Sequence, residues 1–243
     1  MKKYIAFFLI ILSLFFLMGC SFNKKEECNC EESDIASTIN LISNDVVRSN
    51  LIVYAGTYGG VLFSEFNIVS QGSGFVIKED EAYYYVLTNK HVLSYDKIEN
   101  PKVRLYDFED NVYLGKIVYV SEKYDLALIR ISKNEEGLLY VIPFSKSEVK
   151  YGDCVFAVGN PNAYHNVVTV GNVMMIGTLD IYDDVIKHSA PIKTGSSGSL
   201  LINSSLELIG INTWGLKQAD NDESSGAISL SKINEFLEEY FKE

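Results

Sequence analysis

The chain has little of what most ligand-holding chemistries require. Only three histidines occur, His91, His165 and His188, and none stands at metal-ligand spacing from another or from a cysteine, so no metal or cofactor is expected. Cysteine is equally sparse. Cys28 and Cys30 lie one residue apart, poorly placed for a relaxed mutual disulfide, and no second pair matches them as zinc ligands. Cys154 sits among Val155, Phe156, Ala157 and Val158 and reads as a buried small apolar side chain. No disulfide framework is therefore expected. Positive charge is scarce too: 21 Lys and Arg face 32 Asp and Glu, for a formal charge of −11. Without clustered basic residues the chain has no footprint for nucleic acid. The apolar run from Tyr4 to Met18 is about 15 residues, short of the ~20 that cross a bilayer.

What is present suits one globular domain behind a leader. The chain has 243 residues, 47% of them hydrophobic, enough for a sizeable core. Lys2 and Lys3 precede the apolar run, which ends in Leu17-Met18-Gly19-Cys20. A basic start followed by a short apolar segment is the pattern of an export signal. Its end resembles a bacterial lipobox, with Met18 a less usual residue at its position. That resemblance implies cleavage before Cys20, acylation of Cys20 and a membrane anchor outside the cytoplasm. Residues 1–19 are then a lipoprotein signal peptide and 20–40 a tether rich in Lys, Glu, Asn and Ser. The folded domain occupies 41–243. A short helix is expected within Ser33 to Arg48, where Ile35, Ile39, Leu41 and Ile42 fall partly at helical spacing.

From Leu51 onward short β-branched and aromatic runs alternate with turn residues. Six strands are expected between about 50 and 135: 51–58, 74–77, 83–88, 103–106, 112–120 and 126–131. Six more are expected between about 150 and 230: 154–158, 167–176, 185–188, 200–202, 208–212 and 227–230. Two such sets with few helices argue for an all-β domain of barrels. Ser231 is a candidate cap for a last helix through Tyr240, with Ile233, Phe236, Leu237 and Tyr240 facing inward. No internal repeat is evident.

Three segments carry chemistry. Gly195-Ser196-Ser197-Gly198 offers a serine in a turn that a glycine can make tight, with the N–H groups of Gly195 and Ser197 able to converge on one spot. A serine hydroxyl is a weak nucleophile and needs a base. His91 ends a clear strand, and an imidazole suits proton transfer near neutrality. His165, in a loop, and His188 are its competitors. Asp125 precedes Leu126-Ala127-Leu128-Ile129, which would hold a carboxylate at the core's edge to orient the imidazole. Asp96 and Asp107 are alternatives that read as solvated.

Taken together, several segments resemble trypsin-like serine peptidases of the bacterial HtrA/Deg type. They are Gly72-Ser73-Gly74-Phe75, Thr88-Asn89-Lys90-His91-Val92, Asp125-Leu126-Ala127-Leu128, Gly159-Asn160-Pro161 and Gly195-Ser196-Ser197-Gly198. The chain order His, Asp, Ser is also that of chymotrypsin-like barrels. The resemblance implies two six-stranded antiparallel barrels with a C-terminal helix and the site in the cleft between them. It implies catalysis by His91, Asp125 and Ser197, an oxyanion hole at Gly195 and Ser197, and a substrate strand at Thr213, Trp214 and Gly215. Protein or peptide substrates would be its partners. The chain departs from the family at Ser199-Leu200, where Gly-Pro is usual, and its end at Glu243 leaves no room for the family's PDZ domain. Ser196 stands where chymotrypsin has the aspartate that pairs with a new N-terminus. Pro191 stands where trypsin has its acidic specificity residue, so Pro191 and Ile192 would favour a small or medium apolar side chain. Two other readings are a silent peptide-binding protein on the same fold and a solute-binding lipoprotein. The second lacks the helix–strand alternation it needs. The turn at 195 could also rest in an inactive shape without ligand.

Overall fold

Apolar residues at both parities of a strand mean that both of its faces are buried. This is the rule here, and a computed structural model of the chain, describing residues 30, 32–60, 65–133, 138–179, 182–217 and 223–242, explains it. Helix α1 (Glu32–Asn44) and a 3-10 turn (Val46–Arg48) lead into the first barrel. Its strands are β1 (Asn50–Gly59), β2 (Glu65–Glu79), β3 (Tyr83–Thr88), β4 (Lys102–Tyr106), β5 (Val112–Val120) and β6 (Ala127–Ser132). The second barrel holds β7 (Cys154–Gly159), β8 (Val167–Leu179), β9 (Tyr182–His188), β10 (Ser199–Asn203), β11 (Leu208–Lys217) and β12 (Glu223–Ser229). Helix α2 (Leu230–Phe241) follows.

Each barrel is closed and antiparallel, ordered β1-β2-β3-β6-β5-β4 and β10-β11-β12-β9-β8-β7. Read from its first strand, the second has the same order as the first. The architecture is the expected pair of chymotrypsin-like six-stranded barrels with a C-terminal helix. Strand alternation divides the core in three. Tyr84 and Val86 of β3, with Ala127, Ile129 and Ile131 of β6, fill the first barrel. Val155 and Ala157 of β7, with Leu201 of β10, fill the second. Their neighbours Leu87, Leu128, Phe156, Val158, Leu200 and Ile202 point the other way and meet in a shared core between the barrels. Each such fully buried side chain is worth about 1.5–3 kcal/mol, so this shared core strongly opposes separation of the barrels.

The two helices close that core. Ile42 of α1 and Ile233 and Phe236 of α2 are fully buried in it. Ile35, Ile39 and Ile42 recur at helical spacing, and Glu32 and Asp34 suit the positive N-terminal end of α1. Although α2 leaves the second barrel, it straps the first. Tyr119 of β5 stacks on Phe236 at 5.1 Å and Tyr240 at 5.8 Å, and Tyr85 meets Phe241 edge-on at 5.3 Å. Ser229, not Ser231, occupies the cap position of α2, and its side chain makes no capping bond.

One finding overturns the reading of the cysteines. Cys30 and Cys154 form a disulfide across 124 residues, with Cα atoms 5.4 Å apart. The segment leading into α1 meets the start of β7 there, so Cys154 is cross-linked and not a free apolar side chain. Cys20 and Cys28 lie outside the described residues, as does the expected signal peptide.

Candidate active site

Strand β3 ends at Thr88, and one 3-10 turn (Lys90–Leu93) carries His91 to the cleft. Asp125 lies just ahead of β6, which pairs with β3 from Thr88↔Ala127 onward. The pairing of these strands therefore sets the two residues side by side. Asp125 grips His91 twice: Oδ1 accepts the His91 backbone N–H at 2.9 Å, and Oδ2 lies 2.6 Å from Nδ1. An ionised carboxylate only accepts, so this contact selects the tautomer protonated at Nδ1 and leaves Nε2 with a lone pair. The imidazole is half exposed. Beneath it the buried Asn89 donates from Nδ2 to the Asp125 carbonyl at 2.8 Å and to Thr213 Oγ1 at 3.0 Å, tying the first barrel to the second.

The second barrel presents the turn from Lys193 to Ser196. The Ser196 N–H donates to the Lys193 carbonyl at 2.8 Å, and Gly195 has φ +93°, the left-handed backbone that favours glycine. A Cβ at 195 would stand 2.6 Å from Gln71 Oε1 and 2.9 Å from the Asn160 carbonyl. The Thr194 carbonyl accepts the Asn162 N–H at 2.9 Å. In a trans peptide the C=O and N–H point oppositely, so the Gly195 N–H faces away from Asn162. Neither the Gly195 nor the Ser197 N–H donates to an acceptor among the described residues.

The Ser197 hydroxyl donates to the Thr213 carbonyl at 3.1 Å, and no hydrogen bond joins it to His91 in this structure. The halves nonetheless meet: a Cβ at Gly72 would lie 2.6 Å from Val92, the neighbour of His91, and 3.0 Å from the Ser197 carbonyl. Strand β10 accompanies β11 only as far as Asn212, whereas β12 continues along it to Lys217. Thr213, Trp214 and Gly215 thus lie where β10 has left β11. Pro191 and Ile192 line a cavity of about 360 Å³ shared with Ala157, Val167, Thr169 and Ser199; Thr213, Trp214 and Gly215 do not line it.

The competing residues sit elsewhere. His165 Nε2 pairs with Asp110 at 3.1 Å at a loop. His188 is fully buried, and burial pushes its pKa down to about 4 against the opposing effect of its 2.9 Å bond to Asn212 Oδ1. Asp107, read as solvated, is in fact 1% exposed. It accepts from the Glu109 and Asn111 N–H groups, Asn111 Nδ2 and Tyr113 Oη, which makes it the hub of a turn. Its charge pattern resembled that of a surface residue because its donors are local.

Around the 195 turn lie polar residues to which the sequence alone assigns no role: Asn50, Gln71, Ser73, Asn160 and Asn162. The available signal was a serine between two glycines in an apolar strand, and an asparagine before proline at a strand end.

Residues 72–211, more than half of the chain, match the family described as "Trypsin-like peptidase domain". A "Probable periplasmic serine endoprotease DegP-like" of Brucella suis is 38% identical over 60% of this chain and 28% of its own length. "Serine protease HTRA1" of Xenopus tropicalis is 34% identical over 70% of this chain and 36% of its own length. The chain thus spans about a third of these curated relatives. The crystal structure of the serine endoprotease from Yersinia pestis superposes with a TM-score of 0.66 at 26% identity, covering 85% of this chain and 67% of that one. The chain belongs to the trypsin-like peptidase family, with relatives of the HtrA/DegP type.

Proposed function

We propose that the chain is a serine endopeptidase that hydrolyses peptide bonds of proteins outside the cytoplasm. The observation that carries this is the two-point grip of Asp125 on His91, which fixes the tautomer that leaves the Nε2 lone pair to act as the base. Ser197 rotates from Thr213 to His91 Nε2 and attacks the substrate carbonyl as the imidazole takes its proton. Asp125 stabilises the imidazolium, and the N–H groups of Gly195 and Ser197 receive the oxyanion. Each such donor contributes about 10²–10³ in rate. His91 then protonates the leaving amine, and water resolves the acyl-enzyme. Substrate backbone lies along Thr213, Trp214 and Gly215 by strand addition. Pro191 and Ile192 favour a small or medium apolar side chain before the cleaved bond. A peptide library cut mainly after Arg or Lys would rule that preference out.

The Cys30–Cys154 disulfide supports an oxidising compartment. The leader ending at Gly19-Cys20 supports lipid anchoring at Cys20. Palmitate labelling of expressing cells is expected, and its persistence in Cys20→Ser would refute the anchor.

The deciding experiment is fluorophosphonate labelling of the detergent-solubilised full chain beside Ser197→Ala and His91→Ala. Labelling of the parent, lost in both variants, is the expected result. A folded parent that neither labels nor cleaves casein would instead leave a peptide-binding protein on the same fold.

A further inference from the structure

Resting on that reading, we propose that Ser73 is a positioning residue for the oxyanion donors, acting across the cleft from the opposite barrel. Ser73 lies on β2 and is fully buried. Its hydroxyl donates to the Gly195 carbonyl at 2.8 Å and accepts the Asn160 N–H at 2.9 Å, with Asn160 Nδ2 at 3.4 Å. One donor and two lone pairs are all a hydroxyl has, so its capacity is filled. Its own N–H donates to the Ser197 carbonyl at 2.8 Å. One residue thus touches both residues that supply the oxyanion hole.

The need for it follows from Gly195. A glycine pivots freely, so a donor on its nitrogen is aimed only if the peptides on both sides are held. The preceding peptide is held by Asn162, whose N–H meets the Thr194 carbonyl. The following peptide is held by the Ser73 hydroxyl on the Gly195 carbonyl. Ser73 also steadies the first restraint, because its hydroxyl receives the N–H of Asn160, the start of the loop bearing Asn162. Asn160 Oδ1 in turn accepts Asn50 Nδ2 at 3.0 Å and the Asn166 N–H at 3.1 Å, anchoring that loop to the first barrel. Ser73 never meets substrate. It acts only through where the Gly195 and Ser197 nitrogens point.

Such a residue matters when the oxyanion forms and little before. In the full chain, Ser73→Ala should lower kcat ~10–100-fold, less than deleting a donor outright, with KM within about twofold. A peptide aldehyde, which forms a tetrahedral adduct on Ser197, should lose affinity by the same factor. The matching peptide alcohol, which forms none, should bind unchanged. Ser49→Ala is the structural control: it removes a buried bond from Ser49 Oγ to the Val76 carbonyl at 3.2 Å, away from the turn, and should keep the parental kcat despite reduced stability. Ser73→Cys retains a weaker donor and should fall between parent and Ala; it carries the comparison if Ser73→Ala does not fold. An active parent with unchanged kcat and aldehyde affinity in the Ser73 variants overturns this inference alone. So does an equal kcat loss in Ser49→Ala. A parent that neither labels nor cleaves peptide overturns the protease reading and this inference with it.

Discussion

In the first barrel the His91 ring already rests on Asp125 at 2.6 Å, while in the second the Ser197 hydroxyl is turned to the Thr213 carbonyl. The two barrels share a strand order but prepare their halves of the cleft to different degrees. A serine hydroxyl moves between staggered wells by one bond rotation. An imidazole must hold both an orientation and a tautomer, and correcting either requires moving a ring and a proton. The part that is harder to rearrange is the one set in advance. The turn from Lys193 to Ser196 is a third case, since it sits on the second barrel, where Asn162 holds the Thr194 carbonyl, and is also held from the first, where Ser73 donates to the Gly195 carbonyl.

The sharpest way to break this contrast is to spoil the preset half. Asp125→Asn keeps the shape but offers a donor where Nδ1–H needs an acceptor, and kcat should fall by about 10⁴ in a peptide-hydrolysis assay. A loss below tenfold would mean that the tautomer is fixed otherwise. Next comes the turn. Gly195→Ala adds a Cβ against Gln71 and Asn160 at φ +93°, and kcat should drop about 10²–10³-fold with KM largely kept. An unchanged kcat would show that the Gly195 nitrogen takes no part.

Two further tests concern stability, where the second barrel has features that the first lacks among the described residues. Cys30→Ala should lower unfolding stability by about 4 kcal/mol, with kcat unchanged, because the cross-link closes a long loop remote from the cleft. Urea melts of both proteins, with kinetics alongside, check this; a collapse of kcat at full folding would link the cross-link to the site. The smallest effect is pH-dependent. With its pKa lowered to about 4, His188 is neutral when folded, while the unfolded chain takes up its proton near 6.5. Between those values the unfolded state binds more protons. Stability is thus full above about 6.5 and declines as pH falls toward 4, by about 3 kcal/mol in all. His188→Asn should flatten that part of the curve in urea melts at pH 4–7, and an unaltered slope would assign it to other groups.

Much of the fold was legible because β-structure writes itself locally. Runs of alternating or continuous apolar residues, bounded by turn residues, located each of the twelve strands among the described residues, and 83–88 and 112–120 match to the residue. Strand ends were missed where pairing extends into polar sequence, as in β2, which begins at Glu65 and not near Gly74. The shared strand order was invisible, since the barrels have no repeated sequence and topology lives in pairings between distant strands. At the site, His91, Asp125 and Ser197 stood out because each ends or begins a recognisable element. Ser73 and Asn160 lay in recognisable segments but carried no role there, because their partners lie 122 and 110 residues away.

By itself the sequence determined the class of fold, the positions of the strands and the residue types offered at each end of the cleft. Periodicity and turn chemistry are short-range properties. Only the tertiary structure decided that Cys30 meets Cys154, that Asp107 is buried, that Ser197 rests on Thr213 and that Ser73 clasps the turn opposite. The Ser73 clasp depends on how the two barrels dock through a shared apolar core, the Ser197 contact on closure of the second barrel, and the disulfide on where the segment ahead of α1 meets β7. The donors of Asp107 are local, but its burial is a property of packing, which no local pattern encodes.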